Sequence, residues 1–200
     1  MQKQLFVVTS LMTSFLFFSG CGPKAFTKGE YDDPTRVALL DDRYNEADMQ
    51  QMADSVVNAI ASCSAVKRHR KSPVVIVERV KNRTEEHIDM RSLTDKIRTS
   101  LIKSGKVRFV NKEQRKVLEQ EYKYSESGAV SKKTRKKRGK QIGADYILSG
   151  ALASNIQQVG NNKLIYYKLT VNLTDLESSV IDCVEEKEIR KKYRKRSVGL

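Results

Sequence analysis

From Asn45 onward, apolar side chains recur at steps of three and four: Met49, Met52, Ala53, Val56, Val57 and Ile60. That spacing lines one face of a surface helix. After a proline comes a β-branched run, "PVVIVERV" at 73–80, which predicts a buried strand. Asp89 stands before Met90, Leu93, Ile97 and Leu101, which share a helical face, and Gly105 is placed to end that helix with a left-handed cap. "VRFV" at 107–110 predicts a second strand. Residues 113–122 and 132–142 predict two more helices, separated by "SESGAVS" and closed by Gly143. From Asp145 the period drops to two. "DYILSGALAS" reads as a strand, and in "KLIYYKLTVNL" Ile165, Tyr167, Leu169, Val171 and Leu173 share one face. Gly160 with "NN", and then "LESS" at 176–179, supply turns that lead into "VIDCVEEKEIR". The order predicts a single α/β domain: a mixed β-sheet with a C-terminal antiparallel meander and helices packed on the sheet faces.

The chain before this pattern is of another kind. Lys3 and the free amine precede an uncharged stretch, Leu5 to Phe18; Ser19, Gly20 and Cys21 follow. A positive start, an apolar middle and small residues at the cut make a secretory signal. The apolar stretch is shorter than the ~20 residues a spanning helix needs. With Cys21 it resembles the lipobox of bacterial lipoproteins, although Phe18 stands where that motif prefers Leu. The resemblance implies a diacylglycerol on the Cys21 thiol, cleavage before it and an acylated new amine. Gly22 in place of Asp implies sorting to the outer membrane, with the mature chain on the periplasmic face. The chain then divides into a signal peptide at 1–20, a lipid-anchored tether at 21–46, a globular domain at 47–191 and a basic tail at 192–200. Residues 22–46 would reach roughly 85 Å fully extended and about 25–30 Å as a coil. Cys63 and Cys183 remain in the mature chain. An oxidising compartment permits a bond between them, and two buried thiols are the alternative.

Charge changes the picture in two places. The net charge is +14. "KKTRKKRGK" at 132–140 and "KEIRKKYRKR" at 187–196 carry nearly all of it. Such runs suit phosphate-bearing partners. A periplasmic address and the lack of interleaved aromatics at 132–140 argue against nucleic acid, leaving a solvated face or contact with an anionic surface. Lys132, Lys133, Arg135, Lys136 and Lys137 are the residues that would make such a contact.

Enzyme signatures are missing: no G-x-S-x-G, G-x-G-x-x-G or H-E-x-x-H occurs. "SLIKSGK" fails as a phosphate loop, because Ser100 replaces its first glycine and Val107 the magnesium-binding hydroxyl. The only two histidines are His69 and His87. His87 lies in "NRTEEHID" with Glu85 and Glu86, and one histidine among loop carboxylates makes a poor transition-metal site. No metal, cofactor or catalytic group is expected. Arg83, Glu85, Glu86 and His87 are instead candidates for contact with a partner, since a polar loop between strand and helix is held by a rigid scaffold.

The segments "PVVIVERVKNRTEEHIDMRSLTDKIRTSLIKSGKVRFVNKEQRKVLEQE", "GKQIGADYILSGALAS", "YYKLTVNLTDLES" and "EEKEIRK" resemble the LpoB-type activators of penicillin-binding proteins, over residues 73–191. "IGADYILSG" is also similar to TolB N-terminal domains and to curli-secretion lipoproteins. The LpoB resemblance implies an outer-membrane lipoprotein with a TolB-N-like domain and no chemistry of its own. It would bind a bifunctional peptidoglycan synthase, a class A penicillin-binding protein, and stimulate glycan polymerisation and crosslinking. Better-known members carry a longer, Pro-rich tether. The alternatives are an assembly or secretion lipoprotein of the outer membrane, and a basic module on an anionic envelope surface. If Cys21 is the lipidated N-terminus, Cys21→Ser should accumulate as unprocessed precursor and leave the outer-membrane fraction; normal processing on a gel would refute the lipobox.

Overall fold

The computed structural model describes residues 29, 31–33, 36, 37, 39 and 41–195. The expected leader, Cys21, most of the tether and the chain from Arg196 lie outside them. The chain divides into units at 1–36 and 37–200. In the first, Arg36 sits 3.7 Å from Asp32. The second holds every regular element described here.

Helix α1 (Glu46–Ser62) begins at Asn45, whose side chain accepts from the Asp48 N–H while Asp48 accepts from the Asn45 N–H. This reciprocal capping box satisfies two of the donors a helix N-terminus leaves free. A short turn of helix, α2 (Ser64–Lys67), leads to strand β1 (Val74–Val77). The expected strand at 73–80 breaks after Val77 and resumes as β2 (Lys81–Arg83). Both pieces pair in parallel with β4 (Tyr146–Val159): Val77 stands opposite Leu148, and Lys81 opposite Ala151. Residues 82 and 83, read from sequence as loop, are therefore strand. Their signal is weak because all three β2 residues are exposed.

Helix α3 (Met90–Lys103) is capped by Asp89, which accepts from the Arg91 and Ser92 N–H groups. Gly105 follows it at φ 68°. Strand β3 (Arg108–Phe109) pairs with β1, and a 3₁₀ turn (Lys112–Gln114) opens helix α4 (Arg115–Glu126). The expected helix at 132–142 does not form: the segment is turns, bends and irregular chain, exposed throughout 131–143. Seven like charges without an intervening acid repel one another, and no apolar stripe exists to bury them.

The meander matches the pattern. β4 turns at Gly160 (φ 55°) and Asn161 into β5 (Asn162–Asp175), and β5 pairs antiparallel with β6 (Ile181–Arg194). The sheet order is β3-β1-β4-β5-β6, with β2 also on β4. Gly150 is required inside β4, because a Cβ there would lie 2.5 Å from the Thr170 carbonyl oxygen. β6 continues past the expected boundary at Lys191, so residues 192–194 are strand rather than tail.

Helices α1 and α3 pack together on one face of the sheet. Met52, Val56 and Ile60 of α1, Leu93 and Ile97 of α3, and Ile165, Tyr167, Leu169, Val171 and Leu173 of β5 meet there, all essentially inaccessible to solvent. Truncating such a leucine to alanine typically costs about 2–5 kcal/mol. Cys63, just beyond α1, is joined to Cys183 of β6 with Cα atoms 6.4 Å apart. The bond spans a sequence separation of 120, and a loop of that length favours the native chain by roughly 4–5 kcal/mol in the chain-entropy account.

One charged pair lies in this interior. Lys191 of β6 places Nζ 2.6 Å from Asp48 Oδ2, with side chains only 5% and 3% exposed. The same Nζ donates to the Arg43 carbonyl at 2.6 Å and lies 5.5 Å from the Tyr167 ring centre. Removing one partner strands the other charge in low dielectric. Lys191→Met should therefore lower stability by about 3–5 kcal/mol, and adding Asp48→Asn should restore part of the loss. Urea unfolding midpoints of the two variants check this; equal midpoints for wild type and Lys191→Met would mean that the pair contributes nothing.

Candidate docking surface

Three surface features converge on chemistry rather than packing alone: a strap ahead of α1, the segment 81–89, and the basic loop after α4. The strap is residues 41–45. Tyr193 donates to the Asp41 carbonyl at 2.6 Å. Lys163 pairs with Asp42, which holds the Asp42 carboxyl below its ordinary value, chiefly through that hydrogen bond. Tyr44 packs edge-on against Tyr167, ring centres 5.6 Å apart, and burial pushes its hydroxyl pKa up. An open cleft of about 250 Å³ beside the strap is lined by polar side chains, among them Asp41, Asn161, Lys163 and Arg194. Among the described residues, no group of three or more His, Cys, Asp or Glu is placed to hold a metal ion.

The 81–89 segment is tied at three points. β2 fixes its start and the Asp89 cap fixes its end. Between them Thr84 N–H donates to Asn82 Oδ1 at 2.9 Å, and Asn82 Nδ2 donates to the Glu86 carbonyl at 2.8 Å. The third tie is Glu86 itself. One carboxylate oxygen accepts from the Tyr44 N–H at 2.9 Å, and the other accepts from the Tyr167 hydroxyl. Burial first, and then this bond, raise the Tyr167 pKa. The expectation that Glu86 is free for a partner thus needs correction: both of its oxygens are engaged within the domain. Sequence reasoning missed this because Tyr44 and Tyr167 lie 42 and 81 residues away. By contrast Arg83, Glu85 and His87 are exposed and make no side-chain hydrogen bond or ion pair among the described residues. From Arg83 to Ile88 exposed and half-buried residues alternate, which leaves these three at the surface.

Helix α4 and the loop behind it form the third feature. Lys132, Lys133, Arg135, Lys136 and Lys137 are all exposed and unpaired among the described residues. Arg138 differs. It donates to both Glu119 carboxylate oxygens, at 2.9 and 2.7 Å, and to Glu126 at 2.9 Å, and its guanidinium lies 5.3 Å from the Tyr122 ring centre. That clasp holds the Glu119 carboxyl below its ordinary pKa and lays the loop along α4. Its side chains are close to half exposed, so solvent screening makes it a positioning contact more than a stabilising one.

Comparison of the sequence places the domain that carries these surfaces in a known family. A family model described as peptidoglycan-synthase activator LpoB matches residues 45–189. The chain belongs to the LpoB family. The LpoB match starts at the Asn45 cap and ends in β6, taking in the 81–89 segment and the basic loop. Among solved structures the chain is similar to the LpoB C-terminal domain from Salmonella enterica, at 18% identity over 72% of this chain and 99% of that one, TM-score 0.45. For the LpoB C-terminal domain from Escherichia coli the figures are 16%, 68%, 96% and 0.46. For lipoprotein GNA1162 from Neisseria meningitidis they are 12%, 63%, 88% and 0.39. No curated protein matches the sequence. No helix among the described residues is long and apolar enough to cross a membrane.

The Glu86 assignment has a direct consequence. Glu86→Ala leaves the buried Tyr167 hydroxyl and the Tyr44 N–H without an acceptor, and should cost roughly 1–3 kcal/mol. Glu86→Gln keeps one oxygen and should lose less. Thermal denaturation followed by circular dichroism distinguishes the two; an unchanged midpoint for Glu86→Ala would return the residue to the free surface.

Proposed function

We propose that this chain is a lipid-anchored lipoprotein of the outer membrane that activates a bifunctional peptidoglycan synthase by protein contact. Membership of the LpoB family supports the activator role. The observation that carries the docking face is the contrast within 81–89. The backbone is tied at both ends and through Glu86, while Arg83, Glu85 and His87 remain exposed and unengaged. A partner meeting them orders no loop, so little of the contact energy is lost to conformational entropy. Arg83 and His87 supply donors and Glu85 an acceptor, which suits a polar patch on a folded domain rather than an apolar groove.

Activation by contact has a thermodynamic requirement. A partner raises the active population only by binding that state more tightly. A tenfold gain requires about 1.4 kcal/mol of differential affinity, which one or two charge-assisted hydrogen bonds supply. Nothing in this scheme asks the activator to perform chemistry. Synthesis and crosslinking belong to the partner, a class A penicillin-binding protein in this reading.

Arg83→Ala, Glu85→Ala and His87→Ala should leave the melting temperature within about a degree or two, since exposed substitutions change stability by less than ~0.5 kcal/mol. Together they should reduce stimulation of glycan polymerisation by the purified synthase at least several-fold. Full stimulation by the triple variant would move the docking face elsewhere.

A further inference from the structure

The basic loop is not needed for the contact just described, and α4 is not needed for the core. Of its residues only Ser125 is buried. Val117 is 55% exposed and Tyr124 58%. At 100° per residue, Tyr124 and Val117 fall on adjacent positions of the helix surface, followed on one side by Gln120, then Lys116 and Lys123, and then Glu119 and Glu126. The two acids on that side are the ones occupied by Arg138. On that side of α4 the surface therefore passes from apolar, through cationic, to an acidic pair already engaged, while on the other side the exposed Glu121 borders the apolar edge. Beyond that pair lies the loop, with no acid between residues 127 and 144.

We propose that α4 and the 131–140 loop form a docking surface for an anionic phospholipid bilayer. Exposed apolar side chains beside unpaired lysines and arginines are what a bilayer interface of negative charge accepts. The apolar edge enters the headgroup boundary, and the cations remain at the phosphates. An apolar edge alone would suit neutral lipid, and a cationic loop alone would suit any polyanion; α4 carries both. The reach of the chain agrees. Nineteen residues lie between Cys21 and the strap at Asp41, and as a coil they span about 25 Å. This last point rests on the lipidated Cys21 proposed above, and it keeps the domain within reach of the membrane that anchors it.

The chain contains no tryptophan, so Tyr124→Trp gives a single reporter. The lipidated full-length protein carrying it is inserted into vesicles of phosphatidylcholine alone, or with one third phosphatidylglycerol. In the anionic vesicles the emission should shift to the blue and be quenched by brominated lipid; in neutral vesicles it should stay at its value in water. Raising salt to half-molar should reverse the shift. Changing Lys132, Lys133, Arg135, Lys136 and Lys137 to Gln should lower the docked-to-free ratio by at least about tenfold with an unchanged circular dichroism melt. Identical emission in the two vesicle types would overturn the proposal. So would a shift that survives the five substitutions, or one that appears in neutral vesicles only when soluble polyglutamate is added, since the last would make the surface a reader of acidic protein. The vesicles contain no synthase, so failure here leaves the activator reading untouched.

Discussion

The arrangement of this domain depends on a charge pair placed where charge is costly. Asp48 and Lys191 are both almost inaccessible, and two ions taken from water lose several kcal/mol of solvation each. The site compensates by giving both charged groups several partners. Asp48 Oδ2 accepts from Lys191 and from the Asn45 N–H; Lys191 donates also to the Arg43 carbonyl and lies against the face of Tyr167. The pair thereby joins the start of α1, the end of β6 and the strap at one point. A hydrophobic pair of equal volume could fill the space. It would not fix the strap, because only a hydrogen-bond donor at that position captures the Arg43 carbonyl.

From that point the structure extends outward through tyrosines. Tyr167 is a core residue by burial, yet its hydroxyl reaches the Glu86 carboxylate at the domain edge. Tyr44 meets the same carboxylate through its backbone and Tyr167 through its ring. The strap ahead of α1 and the segment proposed to meet the synthase therefore share one acid. Displacing Tyr44 would remove a hydrogen bond from Glu86 without touching Arg83, Glu85 or His87.

The basic loop and the 81–89 segment illustrate two ways for a polar surface to be held. In the segment the backbone is fixed by pairing and capping, and the exposed side chains of Arg83, Glu85 and His87 make no hydrogen bond or ion pair among the described residues. In the loop regular structure is absent, and one side chain, Arg138, sets its course by engaging Glu119, Glu126 and Tyr122. The first arrangement suits a shape-specific contact. The second suits a diffuse one, in which charge density matters more than the placement of any single group.

Most of the fold was legible in the sequence, because burial leaves a period. The three-four spacing from Met49 to Ile60, the Asp89 cap and the alternation from Ile165 to Leu173 each mark one face turned to the core, and α1, α3 and β5 bury those residues. Charge was less informative. The run at 132–142 contains good helix formers, yet a helix needs a face to bury or partners to pair, and this run has neither. Lys191 stands in a basic stretch that resembles a solvated tail. Only its position opposite Ile165, on the inward face of β6, turns it into a core residue. Glu86 is one acid among several in "NRTEEHID", and nothing local distinguishes it from Glu85. Local spacing determined which residues face inward. Partners far apart in the chain decided which charges are structural and which are left for others, because a hydrogen bond is made by proximity in space and leaves no period in the sequence.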